Sequence, residues 1–392
     1  MKKPFLKTIF ALALITGFTA CSGDDDLDPV TDDDGGNGDG VLQGNVLEGD
    51  ITEDLLVLSG NYNLRGAVSV KDGATLTIEP GTTFTVSAED QEAGINLLFV
   101  EQGGRIVADG TASEPIVFTS ENKNAEGGDG DWGGIGIHGK ARMNAPGGTS
   151  LSEAGQLPYG GQDDADDSGV LRFVRVEYAG QASSDGQFEF NAFSFFAVGS
   201  GTVLENLEAF EGADDGFEFY GGTVSATNLS AVGMEDDSID WDEGYRGSLK
   251  NVVVYQYDNT GDFAFELASR SGENNAEPRA NVDVSDVTIR GHNRDGKAAF
   301  DLKQGTAGTF DNIVAWNYET IIFLNDQLQE VENGSLVFTN ANFDYSENLV
   351  VNNVDDTEIS EILISQNSEA TGADVTAFEG WTNFDTMGRF EN

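Results

Sequence analysis

Short runs in which apolar and polar residues alternate recur along most of the chain, as in Val68-Ser69-Val70 and Ala74-Thr75-Leu76-Thr77-Ile78. Period-two alternation predicts strands with one buried face. The runs themselves repeat. Leu204-Glu205-Asn206-Leu207, Ala226-Thr227-Asn228-Leu229, Leu249-Lys250-Asn251-Val252, Val284-Ser285-Asp286-Val287 and Phe310-Asp311-Asn312-Ile313 share one pattern. In each, an apolar or small residue, a spacer and Asn or Asp precede another apolar residue. The last apolar positions are 22, 23, 35 and 26 residues apart. A second register runs in phase, through Asp215-Gly216-Phe217-Glu218-Phe219, Asp237-Ser238-Ile239-Asp240-Trp241 and Asp262-Phe263-Ala264-Phe265.

A unit of about 22 residues accommodates three short strands and three turns, and such a unit cannot bury its inner face alone. Stacked units do so by sharing a core, which predicts an all-β chain wound as a parallel β-helix of roughly ten coils, capped at both ends. Asn and Asp tolerate the left-handed conformation of a sharp bend. Asn206, Asn228, Asn251 and Asn312 are therefore expected to stack at one corner. The 35-residue interval requires an insertion, supplied by Ser269 to Ala280. Asn144 to Ser168 has little periodicity and is expected to protrude from a lateral face. From Gln327 to Asn392 the register blurs, and this segment is expected to close the open end, where a bare coil edge would pair with another chain.

Composition adds an envelope setting. Lys2, Lys3 and Lys7 precede an apolar stretch from Ile9 to Phe18, which reads as a secretory signal over residues 1–20, too short for a membrane span. The only cysteine, Cys21, follows directly and is the expected lipid attachment point. Multiple acyl chains would anchor the protein stably. With Cys21 acylated, no disulfide or thiolate metal site remains. Ser22 to Gly40 holds eight aspartates and five glycines and no Lys or Arg, so residues 21–40 read as a flexible acidic tether. Its Gly23-Asp24-Asp25-Asp26 run resembles an export tag for the outer face of the outer membrane. Residues 41–392, the β-helix domain, carry a net charge of −44. That charge argues against nucleic acid as a partner.

Several segments together resemble a family of β-helical surface lipoproteins of Gram-negative bacteria, which are largely uncharacterised. They include Gly73-Ala74-Thr75-Leu76-Thr77-Ile78-Glu79-Pro80-Gly81-Thr82, Glu114-Pro115-Ile116-Val117-Phe118-Thr119-Ser120, Asp131-Trp132-Gly133-Gly134-Ile135, Asp214-Asp215-Gly216-Phe217-Glu218-Phe219-Tyr220 and Gly380-Trp381-Thr382-Asn383-Phe384. The resemblance implies a right-handed, pectin-lyase-like helix exposed on the cell surface. It brings no catalytic residues with it.

The acidic positions are the sharpest constellation. Asp214, Asp215 and Glu218 lie one repeat before Asp236, Asp237 and Asp240, and stacked strands are ~4.8 Å apart. Carboxylates so placed can converge on Ca²⁺, which takes 6–8 oxygen ligands at roughly 2.3–2.6 Å; the alternative is a solvated acidic face. Asp236-Asp237 with Gly291-His292 resembles in part the Asp pair and Gly-His of β-helical polygalacturonases, without their Asn-x-Asp or Arg-x-Lys elements. A lyase would need a base, for which Arg246, Lys250, Arg270 and Lys303 are available. His138 and His292 are the only histidines and are too far apart in sequence for a zinc site. Phe188, Phe190, Phe193, Phe195 and Phe196 are expected in the core. Trp132, Tyr159, Trp241 and Tyr245, flanked by Gly and Asp, are the expected sugar-stacking surface. The expectation is a binding or adhesion module for a polysaccharide or surface protein, with Ca²⁺ as candidate cofactor. The alternative is a polysaccharide lyase or glycoside hydrolase.

Overall fold

The computed structural model describes residues 41–123, 130–153, 155–182, 190–325, 328–352, 358–387 and 390. The signal, Cys21, the tether and Phe188 lie outside the described residues. Strands pair in parallel from coil to coil into one 23-stranded sheet that winds on itself as a right-handed parallel β-helix. Its length can be followed along one inward column of the first face. The column runs Ile51, Val70, Val100, Ile137, Phe195, Phe219, Trp241, Leu267, Leu302, Leu324 and Asn352, each paired with the next. All but Asn352 are buried. These side chains fill the lumen, and rings stack where the column is aromatic: Phe195 on Phe219 at 5.0 Å, and Phe193 on Phe217 at 5.0 Å. Such stacking adds roughly 0.5–1.5 kcal/mol per pair beyond area burial.

The second and third faces are joined by a single residue, because left-handed backbone turns the strand through the corner. Asn206, Asn228, Asn251, Asp286 and Asn312 occupy it at φ of 58–59°. Asn228 Nδ2 donates to Asn206 Oδ1 at 2.8 Å, Asn251 Nδ2 to Asn228 Oδ1 at 2.7 Å, and Asn312 Nδ2 to Asp286 Oδ1 at 2.8 Å. The stack expected from the repeats is present, and Asp286 belongs to it. Phe173 stands one coil earlier at φ 49°, where its ring meets Trp381 edge-on at 5.4 Å.

Two segments differ from expectation. Asn144 to Ser168 does not project into solvent. It forms an antiparallel hairpin, Thr149–Leu151 with Pro158–Gly160, folded down on the flank of the first face. Gln102 Nε2 holds the Gly160 carbonyl at 2.9 Å, and Asn144 Nδ2 the Ser269 carbonyl at 2.7 Å. Met143 and Tyr159 pack on Phe196 there. Beyond residue 327, Leu336–Asn352 continues the coils, and buried Val331, Ile359 and Leu363 of two short helices cover the last one. Residues 371–387 do not close the end. They run back along the asparagine corner as a strap, because the outer side of the third face is apolar: Val232 and Val253 are covered by Phe378, Trp381 and Phe384. The Asp374 N–H donates to Asn251 Oδ1 at 2.6 Å. Farther along, buried Glu208 accepts the N–H groups of Asn383 and Phe384 at 2.7 and 3.0 Å.

Candidate functional site

Pleat alternation aims the residue preceding each inward one out of the coil. On the first face this outward column reads Asp50, Ser69, Phe99, Gly136, Ser194, Glu218, Asp240, Glu266, Asp301, Phe323 and Val351. Four successive rungs, Glu218 to Asp301, are therefore acidic. The turns entering these strands add Asp215 and Asp237, both buried. Asp215 Oδ1 accepts the Asp237 N–H at 2.9 Å, and Asp237 Oδ1 accepts the Phe263 N–H at 2.6 Å. Each turn carboxylate thus bonds to the next coil.

The carboxylates converge in overlapping triads whose oxygens lie within 4.8 Å of one another. These are Asp214, Asp215 and Asp236; Asp215, Glu218 and Asp240; and Asp237, Asp240 and Glu266. Asp240 belongs to two of them. Burial is the largest influence on Asp215, Asp237 and Asp240 and holds all three well above the ordinary carboxylate range, with neighbouring carboxylates adding to it. Burial also pushes Glu218 up to about 8, against hydrogen bonds from Tyr220 and Asn191 that favour its anion. A divalent cation placed there would reverse this balance by supplying positive charge where like charges crowd. The far end of the row is already compensated, since Lys303 pairs with Glu266 and lies 3.8 Å from Asp301. Oxygen-only donors at this spacing suit a hard cation.

All six acidic residues expected from the repeats come together, and Glu266 and Asp301 join them. Their signal was Phe265-Glu266-Leu267 and Phe300-Asp301-Leu302, which repeat the Phe217-Glu218-Phe219 shape. The expected register placed Asp262 level with Asp237. In the structure Phe265 pairs with Ile239, so Phe263 lies level with Asp237 and Asp262 stands one residue back. A one-residue shift exchanges inward for outward positions. Asp262 instead pairs with Arg294 and Lys297.

The expected sugar-stacking surface is corrected. Trp132, Trp241 and Tyr245 are fully buried, and Tyr159 is 4% exposed. Trp241 Nε1 donates to Thr306 Oγ1 at 2.9 Å and Trp132 Nε1 to the Glu177 carbonyl at 2.9 Å, so each indole has its partner inside the fold. Tyr245 donates to the Val224 carbonyl at 2.7 Å. Tyr159 donates to Glu243 Oε2 at 2.8 Å, fastening the hairpin beside the acidic row. The glycines beside these rings mark close packing. A Cβ at Gly134 (φ +75°) would lie 2.0 Å from the Asn191 carbonyl oxygen, and one at Gly244 (φ +79°) would lie 2.1 Å from that of Pro278.

Both histidines are held in structural roles. His292 is buried, with Nε2 2.7 Å from the Asp262 carbonyl and Nδ1 accepting the Arg294 N–H at 2.8 Å. Both ring nitrogens are occupied, so the partial polygalacturonase likeness has no histidine to offer. His138 is buried between the Val100 carbonyl and Ser152 Oγ, and desolvation lowers it to about 4. Arg246 reaches Asp164 at 3.4 Å. Lys250 stands on the second face, in register with Thr227. Arg270 lies near Asp242 and Glu243, where its charge favours their anions.

No curated protein matches the chain. Among solved structures, the tailspike protein of Acinetobacter baumannii phage AM24 is similar at 9% identity and a TM-score of 0.30, over 77% of this chain and 50% of that one. The chain thus spans half the length of that tailspike. Residues 49–385 match the model of the pectate-lyase-like β-helix domain, and the chain belongs to that family.

Proposed function

We propose that this protein is a cell-surface module that binds acidic polysaccharide through a divalent cation, Ca²⁺ being the one its ligands suit, held on the row Asp215, Glu218, Asp237, Asp240 and Glu266. The observation that carries this reading is the pair of carboxylate triads sharing Asp240, with oxygens inside 4.8 Å of one another. A chain of net charge −49 repels an acidic glycan unless a cation bridges the two. Anchoring through Cys21 to the outer face of the outer membrane, behind the 21–40 tether, accounts for the sequence ahead of the coils. Binding is preferred to cleavage because His292 and His138 have both ring nitrogens engaged, while Lys303 is paired to the row itself.

The test is retention of polygalacturonate and alginate on the immobilised protein, with Ca²⁺ or with chelator. Retention that requires Ca²⁺ and is lost in Asp240→Asn is expected. Retention that is indifferent to chelator contradicts the cation bridge. Growth of the ultraviolet absorbance of unsaturated uronate would replace binding by β-elimination, with Lys303 the nearest base.

A further inference from the structure

On another side of the coils, three successive turns leaving the third face each carry an asparagine in left-handed conformation: Asn259 (φ 64°), Asn293 (φ 50°) and Asn317 (φ 67°). Beside them the outward positions Tyr255, Arg290 and Trp316 lie in register on adjacent rungs. The Arg290 guanidinium sits 4.8 Å from the Tyr255 ring centre and donates to Asp258 Oδ1 at 3.0 Å and to the Gln256 carbonyl at 2.6 Å. Between these groups lies an open hollow of about 380 Å³. That volume falls within the range of small-molecule pockets, roughly 300–1,000 Å³. Trp316 is partly exposed into it, with one side of the ring set edge-on against Phe390 at 5.0 Å. Among the described residues no hydrogen bond engages the Trp316 indole N–H or the side-chain amides of Asn259 and Asn293.

We infer that this hollow is a second binding site, for a neutral saccharide, separate from the acidic row. The chemistry is matched on three counts. An indole face offers the apolar surface that the axial C–H groups of a pyranose cover. Two amides, each with donors and an acceptor, suit vicinal hydroxyls, which are donors and acceptors themselves. Arg290 and Asp258 cancel each other's charge, so nothing in the hollow offsets the repulsion that a strongly acidic chain exerts on a uronate. The site also gains rigidity from its supports: Asn317 Nδ2 holds the Gly291 carbonyl at 2.7 Å, and the Asn293 N–H donates to the Asn317 carbonyl at 2.9 Å.

The experiment is a calorimetric titration of the full chain with cellotetraose, mannotetraose, xylotetraose and chitotetraose, in chelator, beside oligogalacturonate. Binding of at least one neutral tetrasaccharide is expected. Trp316→Ala should weaken it at least tenfold. The double change Asn259→Gly, Asn293→Gly keeps both left-handed backbones while deleting both amides, so it removes contacts without straining the turns. It too should weaken binding at least tenfold, with the melting temperature within a few degrees of the parent. The inference is overturned by no binding of any neutral oligomer. It is equally overturned if binding survives either change. Because chelator is present throughout, failure here leaves the cation-bridged reading intact, and failure of that reading leaves this one intact.

Discussion

The carboxylate of Asp215 accepts the backbone N–H of Asp237 at 2.9 Å, joining the acidic turns of two successive coils. Asp237 repeats the contact toward Phe263. Buried acids therefore help fix the stacking that brings further acids together, and coil geometry and site chemistry depend on the same groups.

This coupling fixes how stability responds to pH. The folded-state values of Asp215, Asp237, Asp240 and Glu218 lie above their ordinary 3.8 and 4.5. The folded form then binds more protons than the unfolded form across that interval, so the stability these groups contribute is present below about pH 4 and lost as pH rises toward 8. In chelator, the melting temperature should fall between pH 5 and pH 8.5, and Ca²⁺ should restore most of the loss at pH 8.5. Calorimetric scans at the two pH values check this. A melting temperature that rises over the interval in chelator contradicts it.

The asparagine corner offers a separate test. Asn228 bonds to the asparagines on both sides and sits at φ 59°. Asn228→Ala loses two hydrogen bonds and, with them, the short polar side chain that lets asparagine tolerate left-handed backbone, about 3–4 kcal/mol together at ~1 for each bond and ~1–2 for the conformation. Asn228→Gly keeps the conformation and should cost about 2 kcal/mol. Urea unfolding should rank parent above Gly above Ala, and equal midpoints for the two variants would contradict the conformational argument.

Glu208 governs the C-terminal strap. Burial pushes its carboxyl up to about 7, yet it accepts two backbone N–H groups of the strap. Glu208→Ala leaves both donors unpaired in a buried place, at about 1–3 kcal/mol each. Limited proteolysis should then cut between residues 371 and 387 at least tenfold faster, with the β-sheet circular dichroism kept. Unchanged cleavage would show that Phe378, Trp381 and Phe384 hold the strap without it.

Trp241 distinguishes core from platform. Trp241→Ala should destabilise by about 3–5 kcal/mol, as expected for emptying a large buried site. Any polysaccharide binding by the fraction that stays folded should keep the parent affinity. A selective loss of affinity at unchanged stability would return Trp241 to the ligand surface.

The sequence made the coils legible wherever insertions were absent. From Leu204 to Trp241 the strict 22-residue interval exposed the asparagine corner and the first two acidic rungs together. Glu266 and Asp301 escaped because the 269–280 insertion and longer turns break the interval, leaving only a three-residue shape to recognise. The aromatic surface was misread for a different reason. Gly and Asp beside Trp132 or Tyr245 look like solvent-facing composition, but in stacked coils glycine is required where the next backbone passes, as at Gly134 and Gly244. The hollow beside Trp316 gave no sequence signal, since its asparagines sit at unequal offsets from the strands. The strap at 371–387 was hidden too, because apolar residues on the outer side of the third face read as ordinary alternation until something is seen to cover them.

The most direct test of the cation-bridged row is a calorimetric titration of Ca²⁺ into metal-free protein, run in parallel on Asp240→Asn. Asp240 is common to two triads, so saturable binding by the parent and at least tenfold weaker binding by the variant is the expected result. No saturable heat in the parent, or equal affinity in both, would show that the acidic row is a solvated face and not a metal site.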